Sequence, residues 1–345
     1  MFFLENVRLV QPGDDHDFPL TVQAPRPGCA LRDWLSEDGD RVWDLIREHG
    51  AVLFRGFAVG SIAAFQNAVV SLTNELAEEY GDLPPSEPGN PFVRKVTPYA
   101  QEYAILFHNE ASHTPRWPRY QWFYCNTPAT VQGETPIVQC DKLYAALPPH
   151  EREKFEQLGL SYERNFTEGF DVPWQEFFGS DDPRVVEAKC EEVGSVCSWD
   201  AENGLRVRTK RPAVLWHQQR QRPVFFNQVL LHHPAGSDPE TRDAMLNCFG
   251  PDSLPRNVKY GDGSPIADTT INNVLEAASK LAVCFSWQVD DVLMIDNVAV
   301  AHARRPYRGE RRVYAALGRF HCDAEYLASG SRYPERVAAV TRANV

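Results

Sequence analysis

The feature that most constrains this chain is a pair of short polar signatures, each delivered by an apolar run and far apart in sequence. The first is Leu106-Phe107-His108-Asn109-Glu110-Ala111-Ser112, which follows Ala104-Ile105. On an extended strand, side chains two apart share a face, so His108 and Glu110 are expected to converge. The second lies in Asp291-Val-Leu-Met-Ile-Asp296-Asn297-Val-Ala-Val-Ala-His302, where two apolar runs flank a turn and the second delivers a histidine. Val292 to Ile295 has the length and character of a buried strand, and Asp296-Asn297 is turn chemistry. Two imidazoles and one carboxylate form the donor set of a 2-His-1-carboxylate facial triad, which holds non-haem Fe(II) and leaves positions open. Taken alone, His108 and Glu110 read equally as a strand end facing solvent.

After His302 come Arg304, Arg305, Pro306, Arg308, Gly309, Arg311 and Arg312, then the strand-like Val313-Tyr-Ala-Ala-Leu. An arginine opening a strand beside a metal triad can hold a carboxylate through paired N–H donors. The plain alternative is a basic surface hairpin, since five arginines cannot all be functional.

These stretches, with Gly50-Ala-Val-Leu-Phe-Arg-Gly-Phe57, Gly133-Glu-Thr-Pro136, Phe225-Phe-Asn-Gln-Val-Leu-Leu-His-His-Pro234 and Tyr260-Gly-Asp-Gly-Ser-Pro265, carry a resemblance. In this order they are similar to the Fe(II)/2-oxoglutarate-dependent dioxygenases of the taurine dioxygenase (TauD/TfdA) superfamily, and within it to the SyrP-like branch. The resemblance implies His108, Glu110 and His302 on iron, and Arg312 and Thr135 on 2-oxoglutarate. It implies O2 and 2-oxoglutarate as cosubstrates, with succinate and CO2 released as an unactivated C–H bond is hydroxylated. Most of the superfamily has Asp where this chain has Glu110; the SyrP-like and clavaminate-synthase-like branches have Glu. Related halogenases lack the carboxylate, so Glu110 implies hydroxylation, with desaturation or epoxidation as alternatives. The branch implies an amino acid substrate, free or tethered to a carrier protein, in natural-product biosynthesis. The alternative is a small free acid such as a sulfonate, phosphonate or amine-bearing carboxylate. A non-catalytic sensor on the same barrel is the competing reading from another class.

The rest of the chain supports one domain over residues 1–345. It is 43% hydrophobic and 24% charged, enough for a sizeable core, and its net charge of -12 argues against nucleic acid and anionic membrane surfaces. Eight scattered cysteines without a C-x-x-C, and no leader-like or membrane-length apolar run, lead to an expectation of free thiols in a reducing cytoplasm. Residues 1–35 are expected to wrap the surface. Asp40 to His49 reads as a helix ended by Gly50, which makes His49 a helix-terminal residue rather than a ligand. Ser61 is placed to cap a second helix. The prolines from Pro84 to Pro98 predict a loop at the site entrance. Asp141 to Leu158 reads as a helix interrupted at Pro148-Pro149. Residues 161–203 show no clear period and are expected to form an insertion over the core. Leu205 to Arg208 and Ala213 to Trp216 suggest a hairpin, and Val224 to Leu231 a further strand. Together these predict a mainly β protein with flanking helices and a double-stranded β-helix (jelly-roll) core.

Several residues near the signatures have two readings. Thr135 is a hydroxyl donor to 2-oxoglutarate or a strand threonine. Asn227 is a structural hydrogen-bonder or a substrate contact, because a buried amide needs partners. Ser112, His113 and Arg116 are close enough in sequence to the triad to meet substrate. Glu102 and Arg304 are candidates for the charged ends of an amino acid, although Arg304 equally suits bracing a loop. His232-His233 would face opposite ways on a strand and so would not share one ion.

Overall fold

The computed structural model describes residues 4, 7–11, 18–78, 84–96, 99–167, 169, 171–200 and 204–322. Two sheets carry the core. One has seven strands in the order Leu20–Gln23, Ala51–Arg55, Val292–Asp296, Arg116–Thr127, Arg312–Cys322, Asn90–Lys95 and Ser86–Glu87. The other has five, in the order Arg8–Leu9, Val283–Cys284, Ile137–Gln139, Val300–Arg304 and Ile105–His108. Their inner faces share one apolar layer, with Leu53, Phe123, Ile295, Val313 and Ala315 from the first meeting Ile137, Val283 and Val300 from the second. The strand alternation is visible in this layer: Val313 and Ala315 face in, while Tyr314 and Ala316 face the outer cluster.

Helices cover the outer faces. Leu31–His49 and Ile62–Leu72 pack on the seven-stranded sheet through Leu31, Leu35, Val42, Ile46, Phe65 and Val69. The first helix starts earlier than expected, because the polar stretch around Gly39 hides a continuous apolar stripe, and Asp38 leaves helical geometry without ending the helix. Gly50 closes it at φ 79°, the left-handed region that favours glycine. Ser61 caps the second helix, its hydroxyl accepting from the Ala64 amide at 3.1 Å. Cys140–Ala146, Pro149–Leu158 and Asp268–Leu281 cover the five-stranded sheet through Leu143, Phe155, Ile271 and Val274.

Residues 160–211 and 256–260 build a separate antiparallel sheet, Ser195–Trp199, Leu205–Arg211, Leu160–Phe166 and Arg256–Tyr260. It has its own small cluster of Phe166, Trp174, Val186, Cys190 and Leu205. Two expectations are corrected here. Leu205–Arg211 pairs with Leu160–Phe166 and Ser195–Trp199, whereas Val214–His217 pairs with Arg222–Phe225, so the two stretches are not a hairpin. The strand expected over Val224 to Leu231 stops at Phe225 because the Asn227 side chain accepts from the Val229 amide at 3.0 Å and opens a helical turn, Val229–His232. The segment expected as a Pro84–Pro98 loop contains the strands Ser86–Glu87 and Asn90–Lys95, while residues 79–83 and 97–98 and the tail beyond Cys322 lie outside the described residues. The seven described cysteines are free. No helix among the described residues is long and apolar enough to cross a membrane.

Candidate metal centre

His108 ends the edge strand Ile105–His108, and His302 lies opposite it on Val300–Arg304, in direct register. That pairing brings the two rings to a centroid separation of 4.2 Å. Ligand atoms of His108, Glu110 and His302 all lie within 4.8 Å of one another. Glu110 arrives differently from the sequence expectation. The strand stops at His108, and the chain turns through Asn109, Glu110 and Ala111, the last at φ 57°. What aims Glu110 is the Asn297 side chain. Its Oδ1 accepts from the Glu110 amide at 2.7 Å, and its Nδ2 donates to the Glu110 carbonyl at 3.0 Å and the Pro118 carbonyl at 2.9 Å. Asn109 faces the other way and is 1% exposed. Its Nδ2 donates to the carbonyls of Asn297 at 2.6 Å and Val300 at 3.3 Å. The two asparagines thus clamp the carboxylate turn to the histidine strand.

The donor set fits a cation. The His108 Nδ1 donates to the Leu106 carbonyl at 2.8 Å, which leaves Nε2 as a lone pair, the usual way in which a ligand histidine is oriented. The buried Nδ1 of His302 has no partner among the described residues. Burial and the neighbouring His108 hold the His302 imidazole well below its ordinary pKa, so it is neutral and able to ligate. No cation or hydrogen-bond donor among the described residues occupies the Glu110 carboxylate. Phe123 packs against His302 at 5.1 Å between ring centroids and closes the apolar side.

Asn297 is itself held by a buried ion pair. Asp296 and His217 are both 0% exposed. Asp296 Oδ2 accepts from Arg119 Nη2 at 2.7 Å and His217 Nε2 at 3.0 Å, and its Oδ1 accepts from the Val298 amide at 3.0 Å. His217 Nδ1 accepts from the Arg220 amide at 3.2 Å, which puts the ring proton on Nε2. Burial alone would raise the Asp296 pKa; the Arg119 charge and the His217 hydrogen bond outweigh it and hold the carboxyl well below its ordinary range.

A second group of polar side chains lies along Gly133 to Pro136. Thr135 is 3% exposed, and its Oγ1 accepts from the Trp287 indole at 3.1 Å, leaving its proton to donate elsewhere. The arginine beside it is Arg311 rather than Arg312. Arg311 shares the inward parity of Val313; its Nε donates to the Gly133 carbonyl at 2.9 Å and its guanidinium stacks on Tyr307 at 5.6 Å. Burial and the nearby Arg304 lower its pKa to about 10. Neither Nη has an acceptor among the described residues. Gly133, at φ 78°, is needed here, since a Cβ would meet Ala129 at 2.9 Å and Arg311 at 3.2 Å. Arg312 points outward, half-exposed and ion-paired with Glu310.

The other expected contacts separate. Asn227 is structural: its Nδ2 donates to the Ala213 carbonyl and its Oδ1 accepts from Val229. Ser112 donates to the Asn109 carbonyl within the turn. Arg304 braces the loop, donating to the carbonyls of Tyr99, Ala100 and Tyr103 at 2.7–2.9 Å, and Glu102 on that loop is exposed. Arg116 is exposed and stacks on Phe320. His113 alone of these points toward a ring cluster near the triad, with Tyr162 and His232. Trp287 and the Arg119–His217–Asp296 group carried no sequence signal beyond a lone tryptophan and scattered charges. Arg311 was within reach of the sequence, through its period-two parity with Val313.

Residues 15–317 match the taurine catabolism dioxygenase TauD, TfdA family. The chain belongs to this family. It is 33% identical over 312 residues to the dapdiamide synthesis protein DdaC of Enterobacter agglomerans, covering 90% of this chain and 94% of that one. It is 31% identical over 286 residues to a clavaminate synthase-like protein of Arabidopsis thaliana, covering 79% and 82%. A taurine dioxygenase from Burkholderia xenovorans shares the fold, with a TM-score of 0.52 at 14% identity over 97% of this chain and 98% of that one. This TauD-family chain is therefore an iron- and 2-oxoglutarate-dependent dioxygenase, and the His108–Glu110–His302 cluster has the donor chemistry for that metal.

Proposed function

We propose that this dioxygenase hydroxylates an unactivated C–H bond of an amino acid or carrier-bound aminoacyl group in natural-product biosynthesis, with His108, Glu110 and His302 holding Fe(II). The observation that carries the metal assignment is the convergence of two imidazoles and one carboxylate, the latter with no donor among the described residues, within 4.8 Å. The pathway context rests on similarity to the dapdiamide synthesis protein. The two sheets are read as the double-stranded β-helix of the family.

When bound, Fe(II) with 2-oxoglutarate and O2 supplies the oxidising equivalents for C–H functionalisation. The chain supplies position and shielding. Leu106 and Asn297 orient His108 and Glu110 through their hydrogen bonds. Arg311, whose two Nη groups have no acceptor among the described residues, would hold a cosubstrate carboxylate, and Thr135, with its oxygen engaged by Trp287, would donate its proton to the same group. The surrounding Phe123, Phe285 and Trp287 exclude water from the cosubstrate side.

Anaerobic titration of the protein with Fe(II) and 2-oxoglutarate is expected to give a weak visible charge-transfer band, followed by succinate on admission of O2. Intact metal loading with neither band nor succinate overturns the reading. A panel of free amino acids, their carrier-bound thioesters and small sulfonates or phosphonates, scored for succinate and a gain of one oxygen, separates the substrate classes. Turnover restricted to the small acids replaces the amino acid assignment.

The carboxylate clamp has its own test. Arg311→Ala is expected to raise the half-saturating 2-oxoglutarate concentration on the order of a hundredfold, as two charge-assisted hydrogen bonds are lost. Arg312→Ala is expected to change it less than about twofold, because an exposed ion pair contributes little. The opposite ranking returns the clamp to Arg312.

A further inference from the structure

Beside the triad sits a buried histidine that neither the metal nor the cosubstrate uses. His232 is 8% exposed and ends the helical turn Val229–His232. Its ring lies 5.2 Å from His113 and 5.0 Å from Tyr162, centroid to centroid. Its protonation pattern follows from a chain of hydrogen bonds that begins at the metal-bearing turn. Gln228 Nε2 donates to the Asn109 carbonyl at 3.1 Å, which orients that amide and makes Oε1 the acceptor. Oε1 then takes the Nε2 proton of His232 at 3.1 Å. The remaining nitrogen, Nδ1, is therefore a bare acceptor, and it is buried with no partner among the described residues. A buried acceptor left open costs stability, and such groups are normally satisfied by protein, ordered water or a bound group.

We propose that His232 Nδ1 is a substrate-recognition atom that accepts a hydrogen bond from a neutral N–H or O–H donor, such as an amide or hydroxyl, with His113 and Tyr162 flanking the bound group. This rests on the oxygenase reading and narrows its substrate class.

Neutrality of the donor follows from the surroundings. Burial, then His113, Arg256, Arg164 and His108, push His232 well below its ordinary pKa, so its strongest electrostatic neighbours are bases rather than acids. An ammonium entering there would lose its hydration without gaining a counter-ion, whereas an amide N–H loses little. The position argues the same way. Asn109, which sits between the ligands His108 and Glu110, also sets the Gln228 amide, so the acceptor and the triad are fixed by one residue. A carrier's pantetheine arm offers such amide and hydroxyl donors; a free amino acid offers an ammonium.

The experiment uses the full chain with histidine labelled by 15N in the ring, loaded with Zn(II) and 2-oxoglutarate. The probes are pantetheine and N-acetyl-L-alanine methylamide as neutral donors, and L-alanine as the charged one. His232 is expected to show an unprotonated Nδ1 whose resonance moves upfield with the neutral donors and stays in place with L-alanine. Calorimetry is expected to show neutral-donor binding weakened roughly tenfold in His232→Phe, the loss of one neutral hydrogen bond, and partly recovered in His232→Asn, whose carbonyl restores an acceptor. A protonated Nδ1, an Nδ1 unmoved by both neutral donors, a response to L-alanine alone, or unchanged affinity in folded His232→Phe each overturns the proposal. His232→Phe is expected to keep the Fe(II)/2-oxoglutarate band. Failure at His232 with that band present leaves the oxygenase reading standing; a missing band with Nδ1 still responding removes the oxygenase reading and leaves the donor site.

Discussion

His302→Ala and His108→Ala are each expected to abolish O2-dependent succinate formation and to lower Fe(II) affinity by more than about two orders of magnitude. The estimate comes from comparison. Removing an outer partner of a metal ligand typically costs roughly 10–100-fold in affinity, and removing the ligand itself must cost more. Asn297→Ala supplies the comparator, because the hydrogen bonds of the Asn297 side chain go only to the backbone of Glu110 and Pro118. It is expected to fall in that roughly 10–100-fold range while leaving a carboxylate in the site. Equilibrium dialysis against Fe(II) under anaerobic conditions, with circular dichroism to check folding, reads all three. Wild-type-like Fe(II) binding in folded His302→Ala would remove that histidine from the ligand set. The strand pairing His302 with His108 predicts that either loss leaves the sheet intact, since the backbone ladder does not depend on the rings.

The second large effect concerns stability. Asp296→Asn is expected to destabilise the fold by roughly 3–5 kcal/mol, because it leaves the buried Arg119 guanidinium without its counter-charge. Urea denaturation measures this. The pH dependence has a definite sign. The folded pKa of Asp296 lies below its unfolded value, so its contribution is fully present above the unfolded pKa of about 4 and declines as pH falls through the acid range. Wild-type stability should therefore drop on acidification below about pH 4, and the Asp296→Asn variant should lack that part of the slope. The same change is expected to weaken Fe(II) binding, since Asp296 Oδ1 holds the Val298 amide and with it the turn that carries Asn297. A variant as stable as wild type, with the same acid profile, would show that Arg119 has found another acceptor.

Much of this protein was determined locally, and the reason is periodicity. The helix ending at Gly50, the Ser61 cap, the helices broken at Pro148-Pro149 and the strand delivering His302 all follow from short-range rules of spacing, capping and breaking. His108, Glu110 and His302 were legible as candidates because the two histidines follow apolar runs and His108 and Glu110 stand two residues apart. Arg311 was legible in principle, since alternation puts it on the face of Val313, yet a run of arginines has no marker that separates it from Arg312.

Tertiary structure decided the rest, because those features depend on which residues meet across distant segments. Glu110 reaches the histidines through a turn held by Asn297, and no local pattern announces a bond between residues so far apart. Asn227 and Arg304 became braces rather than substrate contacts once the backbone carbonyls they satisfy came within reach. Leu205 to Arg208 and Ala213 to Trp216 look like a hairpin in sequence, but the strands they belong to pair elsewhere. The proton on His232 is set by Gln228, and that of Gln228 by Asn109, so a single nitrogen's role depends on three elements of the fold. Hydrogen bonds between buried polar groups carry no periodic signature, and folding alone settles which partners they find.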